Sequence, residues 1–166
     1  MPASPSDLFA YLDRLDIAHT TIEHPATFSV DESRHIKQAM PGGHTKNLFM
    51  KDKDGVVVLI SAWADSMLKL NQLHKQIGTR RLSFASADLM QELLGVVPGS
   101  VTAFALMNDP DARVRFIADK TLLAYDVVNF HPLVNTATTA ISTKDFRRFI
   151  EATGHTLTEF DFTELV

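Results

Sequence analysis

Two apolar segments, residues 46–51 and 56–63, flank Asp52-Lys53-Asp54-Gly55. Asp-Gly is a strong tight-turn signal, and apolar runs on both sides of it mark a β-hairpin. This feature constrains the fold most, because it commits the chain to a sheet with antiparallel pairing. Helical and strand-like segments are intermixed around it without strict strand–helix alternation. The sheet is therefore expected to be mixed or mostly antiparallel, and a doubly wound parallel fold is disfavoured.

The other elements follow from local signals. Ser4, Pro5 and Asp7 form a capping-box-like helix start, and Leu8, Tyr11, Leu12 and Leu15 follow at helical spacing. Residues 17–23 read as a strand ending at His24-Pro25. A second helix is expected over 31–40, broken by Pro41-Gly42-Gly43. Residues 68–77 read as a helix closed by Gly78, and Ser86 caps another that runs through Leu94 to Gly95. Pro98-Gly99 reads as a turn into a strand over 100–106. Further strands are expected over 114–118, 122–128, 134–141 and 156–162. Thr143 is the expected cap of a helix carrying Phe146, Phe149 and Ile150 and closed by Gly154. No repeat, low-complexity stretch or linker interrupts the chain, so residues 1–166 read as a single domain.

Composition narrows the function. With 45% hydrophobic and 22% charged residues the chain has the balance of a soluble globular protein. It contains no cysteine, which excludes disulfides, thiolate nucleophiles and Cys-zinc sites. The formal net charge of -4 argues against sequence-independent binding to a nucleic-acid backbone, and so against a DNA-binding role. The N-terminus lacks a signal-peptide layout, and no apolar run approaches the ~20 residues of a membrane helix. The default expectation is a cytoplasmic protein with no membrane partner.

Two polar stretches interrupt apolar surroundings. They are Gly42-Gly43-His44-Thr45-Lys46-Asn47-Leu48-Phe49 and Asn129-Phe130-His131-Pro132-Leu133-Val134-Asn135-Thr136-Ala137-Thr138-Thr139. Their composition suits a pocket for a small polar ligand. Lys46 at a strand entrance can hold an anionic or carbonyl oxygen, although a solvated strand-end lysine has the same sequence appearance. His131 can hydrogen-bond a ligand or carry a proton; the plain alternative is a turn histidine. Histidines stand at 19, 24, 35, 44, 74, 131 and 155 without metal-ligand spacing, and a spatial site built from His24, His44 and His131 is disfavoured. No Gly-x-Ser-x-Gly elbow is present. Gly95-Val96-Val97-Pro98-Gly99 lacks the Lys-Ser/Thr of a phosphate loop; it reads as a helix stop, or as a source of N–H groups for a carbonyl oxygen. Basic residues at Lys51 and Lys53, at Arg80 and Arg81, and at Lys144, Arg147 and Arg148 read as solvated faces. Lys51 and Lys53 are near enough in sequence to reach a nucleic-acid end held at Lys46.

Four ordered segments together resemble the YbaK/ProX family of aminoacyl-tRNA editing domains. They are Glu23-His24-Pro25-Ala26, residues 45–52, Gly95 with residues 98–102, and residues 131–139. The resemblance covers nearly the whole chain and is greatest to the free-standing proline-tRNA alanine-editing type. Ala103 departs from it, standing where many relatives carry proline. The resemblance implies a mixed α/β fold, with helices around a curved, barrel-like sheet. It implies hydrolysis, without cofactor or metal, of alanine mischarged onto proline tRNA. Lys46 would position the aminoacyl-adenosine end. Asn47 and His131 would be pocket residues, with the Pro98-Gly99 turn shaping the amino-acid site beside Asn135 and Thr136. Val30, Phe49 and Phe130 would supply apolar walls that admit alanine and exclude a prolyl group. The expected partner is the 3′ end of aminoacylated proline tRNA, with prolyl-tRNA synthetase or an elongation factor as further candidates. Alternatives are editing of serine or cysteine on the same fold, or a non-catalytic module that binds tRNA or a synthetase.

Overall fold

The structure, a computed structural model, describes residues 1–26 and 30–164, with the side chains of 30–33 and 164 outside the description. The predicted hairpin forms its middle. Strand β2 (Gly43–Lys51) pairs antiparallel with β3 (Val57–Trp63), setting Lys46 opposite Ala62 and Phe49 opposite Leu59. Asp52 builds the turn: its Oδ1 accepts from the backbone N–H groups of Asp54 and Val56, both at 2.9 Å. Gly55 supplies the positive φ of +88° that the turn requires.

Around the hairpin stand β1 (Thr20–Glu23), β4 (Ser83–Phe84), β5 (Val114–Asp119), β6 (Val127–Phe130), β7 (Ala137–Ser142) and β8 (Leu157–Phe160). The sheet runs β1-β7-β6-β2-β3-β5-β8, with β4 paired to β2. It is mixed. Antiparallel pairs are β1/β7, β6/β7, β2/β3 and β2/β4; parallel pairs are β2/β6, β3/β5 and β5/β8. The β2/β6 pairing is short, joining Gly43 to Val128 and His44 to Asn129 before the strands diverge. Two glycines allow that approach. A Cβ on Gly42 (φ +117°) would lie 2.5 Å from the Val127 carbonyl oxygen, and one on Gly43 would lie 3.0 Å from Leu122 and Tyr125 side chains.

Because side chains alternate along a strand, β2 and β3 feed two cores. Phe49 and Leu59 face the main one. There Phe130 stacks on Phe146 with ring centroids 4.7 Å apart, and Phe104 meets Phe149 edge-on at 5.3 Å. Helices α1 (Pro5–Arg14), α4 (Ala87–Leu94) and α6 (Thr143–Ala152) contribute Leu8, Leu12, Leu94, Phe146 and Ile150 to it. Met50, Val58 and Ile60 face a smaller core with Leu73 of α3 (Leu70–Ile77). Burial on both faces explains why β3 is apolar almost throughout.

Local signals held where capping chemistry was explicit. Ser4 and Asp7 make the full capping box, Ser86 caps α4, and Gly78 and Gly95 close α3 and α4 in left-handed conformation. The second predicted helix is α2 (Val30–Ala39). Several strand assignments are corrected. Residues 103–108, overlapping the second half of the expected strand 100–106, form a 3-10 helix whose cap Thr102 accepts from the Phe104 N–H at 3.3 Å. Four consecutive buried apolar residues there carry no period that separates strand from helix. The start of the expected strand 122–128 is α5 (Lys120–Leu123), because Asp119 Oδ1 accepts from the Thr121 N–H at 3.0 Å. The strand expected from 134 begins at Ala137, after a bend that places Leu133 at φ +70°. Ser142 rather than Thr143 caps α6, accepting from the Asp145 N–H, while the Thr143 hydroxyl donates to the Tyr125 carbonyl at 2.5 Å. The first and last strands are shorter than read, at Thr20–Glu23 and Leu157–Phe160. Among the described residues no helix is long and apolar enough to cross a membrane.

Candidate functional site

Where β2 and β6 diverge, a cavity of about 190 Å³ opens between these strands, β7 and α2. Its polar lining comes from His44 and Thr45 of β2, Asn129 of β6, His131 just beyond it and Thr138 of β7. Phe130, Ile36 and Ala64 supply apolar wall, and the exposed Lys37 completes the lining.

The hydrogen bonds fix what this lining offers. His131 Nδ1 lies 3.0 Å from the Ala137 carbonyl oxygen, so it carries the proton and donates. In the neutral ring Nε2 is then an acceptor. His44 uses its nitrogens the other way round: Nε2 donates to the Met40 carbonyl at 2.7 Å and leaves Nδ1 as the acceptor. Burial lowers the pKa of both rings below the ordinary histidine value, against the opposing effect of these carbonyl bonds. Lys37 adds to the lowering at His44, and His24 adds to it at His131. The site therefore holds two neutral imidazoles.

Asn129 is 2% exposed and directs its Nδ2 toward the carbonyls of Gly43 at 3.4 Å and Pro41 at 3.5 Å. Its Oδ1 is buried without a partner among the described residues. Leaving a buried acceptor unmade costs about 1–3 kcal/mol, so this atom is conspicuous in a site lining. Thr45 Oγ1 donates to the Asn129 backbone carbonyl at 2.8 Å and accepts from Asn47 Nδ2 at 3.3 Å. Asn47 Oδ1 in turn accepts from the Ser61 hydroxyl at 2.5 Å. A polar chain thus runs from β3 through Asn47 to the cavity wall.

Lys46 lies on the opposite face of β2 from Asn47, half-buried, with Nζ donating to the Ser66 carbonyl. The Ser66 hydroxyl donates to Asp119 Oδ2 at 2.6 Å, and that fully buried carboxylate also accepts the N–H groups of Trp63 at 3.1 Å and Thr121 at 3.0 Å. The turn that receives Lys46 is therefore anchored.

The sequence-predicted residues divide into groups. Phe130 and His131 line the cavity; Lys46 and Asn47 flank it on the neighbouring strand. Phe49 is 2% exposed in the main core opposite Leu59. Pro98 and Gly99 form an exposed turn next to Asn135, whose Nδ2 would lie 3.4 Å from a Cβ on Gly99. Thr136 is exposed on a separate groove of about 690 Å³ with Phe9, His24 and Val134. Val30 opens α2, and its side chain lies outside the described residues. His24 stands between cavity and groove, with Nε2 bonded to Thr138 Oγ1 at 2.8 Å and its ring centroid 6.3 Å from that of His131. Among the described residues no group of three or more His, Cys, Asp or Glu side chains could hold a metal ion. Sequence reading placed His44, Thr45, Asn129 and Thr138 within the two polar stretches that suit a ligand pocket and assigned none of them an individual site role. The available signal was polar residues recurring within two strands that are otherwise apolar.

A family model for the aminoacyl-tRNA editing domain matches residues 24–149. The prolyl-tRNA editing protein ProX of Acetoanaerobium sticklandii is 35% identical over 150 residues, covering 90% of this chain and 92% of that one. A prolyl-tRNA synthetase associated domain-containing protein 1 from Xenopus laevis is 39% identical over 154 residues, covering 90% and 91%. A solved structure assigned provisionally as a trans-editing enzyme for prolyl tRNA synthetase shares the fold, with TM-score 0.68 at 18% identity over 97% of this chain and 99% of that one.

Proposed function

The chain belongs to the aminoacyl-tRNA editing domain family, and from that premise we propose that it removes alanine mischarged onto proline tRNA, acting in trans. As a member it is an aminoacyl-tRNA deacylase, a hydrolase of the ester between amino acid and tRNA. The observation that carries the narrower reading is the cavity at the β2/β6 divergence, lined by hydrogen-bond acceptors and with Phe130 in its lining. Phe130 is 1% exposed and stacked on Phe146, so it cannot move aside for a larger ligand without disturbing the core. Excluding a prolyl ring by clash is easier than rejecting a smaller ligand by lost contact, where a methylene is worth ~1–3 kcal/mol.

An aminoacyl ester is already activated, so no protein nucleophile is needed. Water adds to the ester carbonyl carbon while the adjacent ribose hydroxyl relays a proton, accepting one from the water as it gives its own toward the ester's ribose oxygen. The tetrahedral oxyanion then collapses, the bond to the ribose oxygen breaks, and that oxygen takes up the proton. The protein contributes orientation and charge stabilisation. Lys46 supplies the charge, exchanging the Ser66 carbonyl for an oxygen of the aminoacyl-adenosine end. Lys37, exposed at the cavity, is placed to meet a backbone phosphate of the same end.

The test is deacylation of alanyl-, seryl-, cysteinyl- and prolyl-tRNA of the proline type, with Lys46→Ala alongside. Loss of alanine alone, slowed about 100-fold or more in the variant, is the expected result. Preferential loss of serine or cysteine would move the substrate. Undiminished turnover by folded Lys46→Ala would overturn the role given to Lys46.

A further inference from the structure

We propose that Asn129 Oδ1, with His131 Nε2 and His44 Nδ1, binds the α-ammonium group of the aminoacyl ester. The inference rests on the editing reading and names which part of the substrate enters the cavity. Three observations carry it. Asn129 Oδ1 is buried in a cavity-lining side chain and lacks a partner among the described residues. The carbonyls of Pro41 at 3.5 Å and Gly43 at 3.4 Å favour this orientation, because exchanging the amide oxygen and nitrogen would set an acceptor against both. The two histidines each donate to a backbone carbonyl and so present their remaining nitrogen as an acceptor.

The lining is thus rich in acceptors. Thr45 directs its hydroxyl hydrogen to the Asn129 backbone carbonyl, which leaves that donor in use. The matching ligand group is one with several N–H donors and no acceptor, which describes an ammonium. A ribose hydroxyl both donates and accepts, and would use one of the three positions. Lys37 is the unfavourable neighbour of a cation here; it is exposed, where water screens its charge. Burial favours neutral imidazoles and so keeps both ring acceptors open to the ligand.

The experiment compares alanyl-tRNA of the proline type with its lactyl counterpart, in which a hydroxyl replaces the ammonium. Each enzymatic rate is divided by the uncatalysed rate of the same ester, which removes the difference in intrinsic reactivity. The acceleration is expected to be at least tenfold smaller on the lactyl ester. Asn129→Ala is expected to cost the alanyl ester at least tenfold more than it costs the lactyl ester. Equal accelerations of the two esters by the unsubstituted protein would overturn the proposal and leave the editing reading intact. Equal losses on both esters in Asn129→Ala would overturn the assignment of Asn129. If that variant does not fold, the comparison of esters on the unsubstituted protein decides alone. Failure to cleave either ester would remove the editing reading and this inference together.

Discussion

The His155–Asp109 pair and the cavity at the β2/β6 divergence bury the same kinds of group and leave them in opposite states. His155 and Asp109 have side chains 1% and 3% exposed and meet at 2.8 Å. The other His155 nitrogen lies 2.9 Å from Thr153 Oγ1, and the carboxylate also accepts the N–H groups of Arg113 at 3.1 Å and Val114 at 2.9 Å. Each ring nitrogen and each carboxylate oxygen of that pair has a partner. In the cavity, among the described residues, His44 and His131 each make one hydrogen bond through one nitrogen, and Asn129 leaves an oxygen unmade. Buried polar groups are normally satisfied within the fold. The complete set therefore serves to hold β5 and the end of α6 in place, and the incomplete set keeps capacity for a ligand.

The strongest way to break this contrast is Asp109→Ala. It strands two backbone N–H groups and His155 in the interior, and each buried group left without its partner costs about 1–3 kcal/mol. Urea denaturation is expected to show that loss, with deacylation per folded molecule unchanged. A fall in specific activity beyond the folded fraction would mean that the two centres are not separate in role. The converse is His131→Ala. Losing a hydrogen bond to a charged group is worth about 1.5–3 kcal/mol, so kcat/KM on alanyl-tRNA is expected to drop roughly 10- to 100-fold. Stability should change by less than about 1 kcal/mol, since the side chain makes one internal bond, to Ala137. A large loss of stability with little loss of rate would place His131 with His155.

The same contrast explains what was legible in the sequence. The hairpin, the capped helices and the glycine stops rest on contacts between residues a few positions apart, such as Asp52 with Val56 or Ser86 with Leu89. They could be read from order and type alone. Family membership was legible because the four anchors are local strings. The cavity was not, because it depends on the parallel pairing of His44 with Asn129, residues 85 positions apart in sequence. Asn129 opens a polar stretch that suits a ligand pocket, but nothing local sets it apart from its neighbours until β6 is set beside β2. The 3-10 helix at Ala103–Asn108 was missed for another reason, since its four buried residues carry no period.

Ser66→Ala sharpens the comparison from the side of Lys46. The substitution removes the bond to Asp119 and retains the carbonyl that receives Lys46 Nζ. A hydrogen bond to a carboxylate is worth about 1.5–3 kcal/mol, only part of which reaches the lysine, so a roughly two- to tenfold fall in rate is expected if the Trp63–Ser66 turn positions it. The effect should lie in kcat more than in KM, and Ser66→Thr, which restores a hydroxyl, should recover part of it. Equal loss in both variants would point to packing in the turn rather than to the bond.

The smallest effect is the pH dependence of stability, and it follows from the direction of the histidine shifts. His44 and His131 have folded pKa values below the ordinary 6.5 because burial disfavours the imidazolium. Just below pH 6.5 the unfolded chain therefore binds protons that the folded chain does not. Stability contributed by the neutral rings is full above pH 6.5 and is lost as the solution is acidified toward the folded values, below which both states are protonated and the loss stops growing. Urea midpoints measured from pH 7.5 down to pH 5 are expected to fall more steeply for the unsubstituted protein than for a His44→Gln/His131→Gln double variant, in which neither position titrates. The acid limb of the deacylation profile should likewise lie below 6.5, because the acceptors survive until the folded rings protonate. Parallel urea curves for the two proteins would show that burial in the cavity does not set the charge of these rings, and the contrast with the completed His155–Asp109 pair would then rest on hydrogen-bond geometry alone.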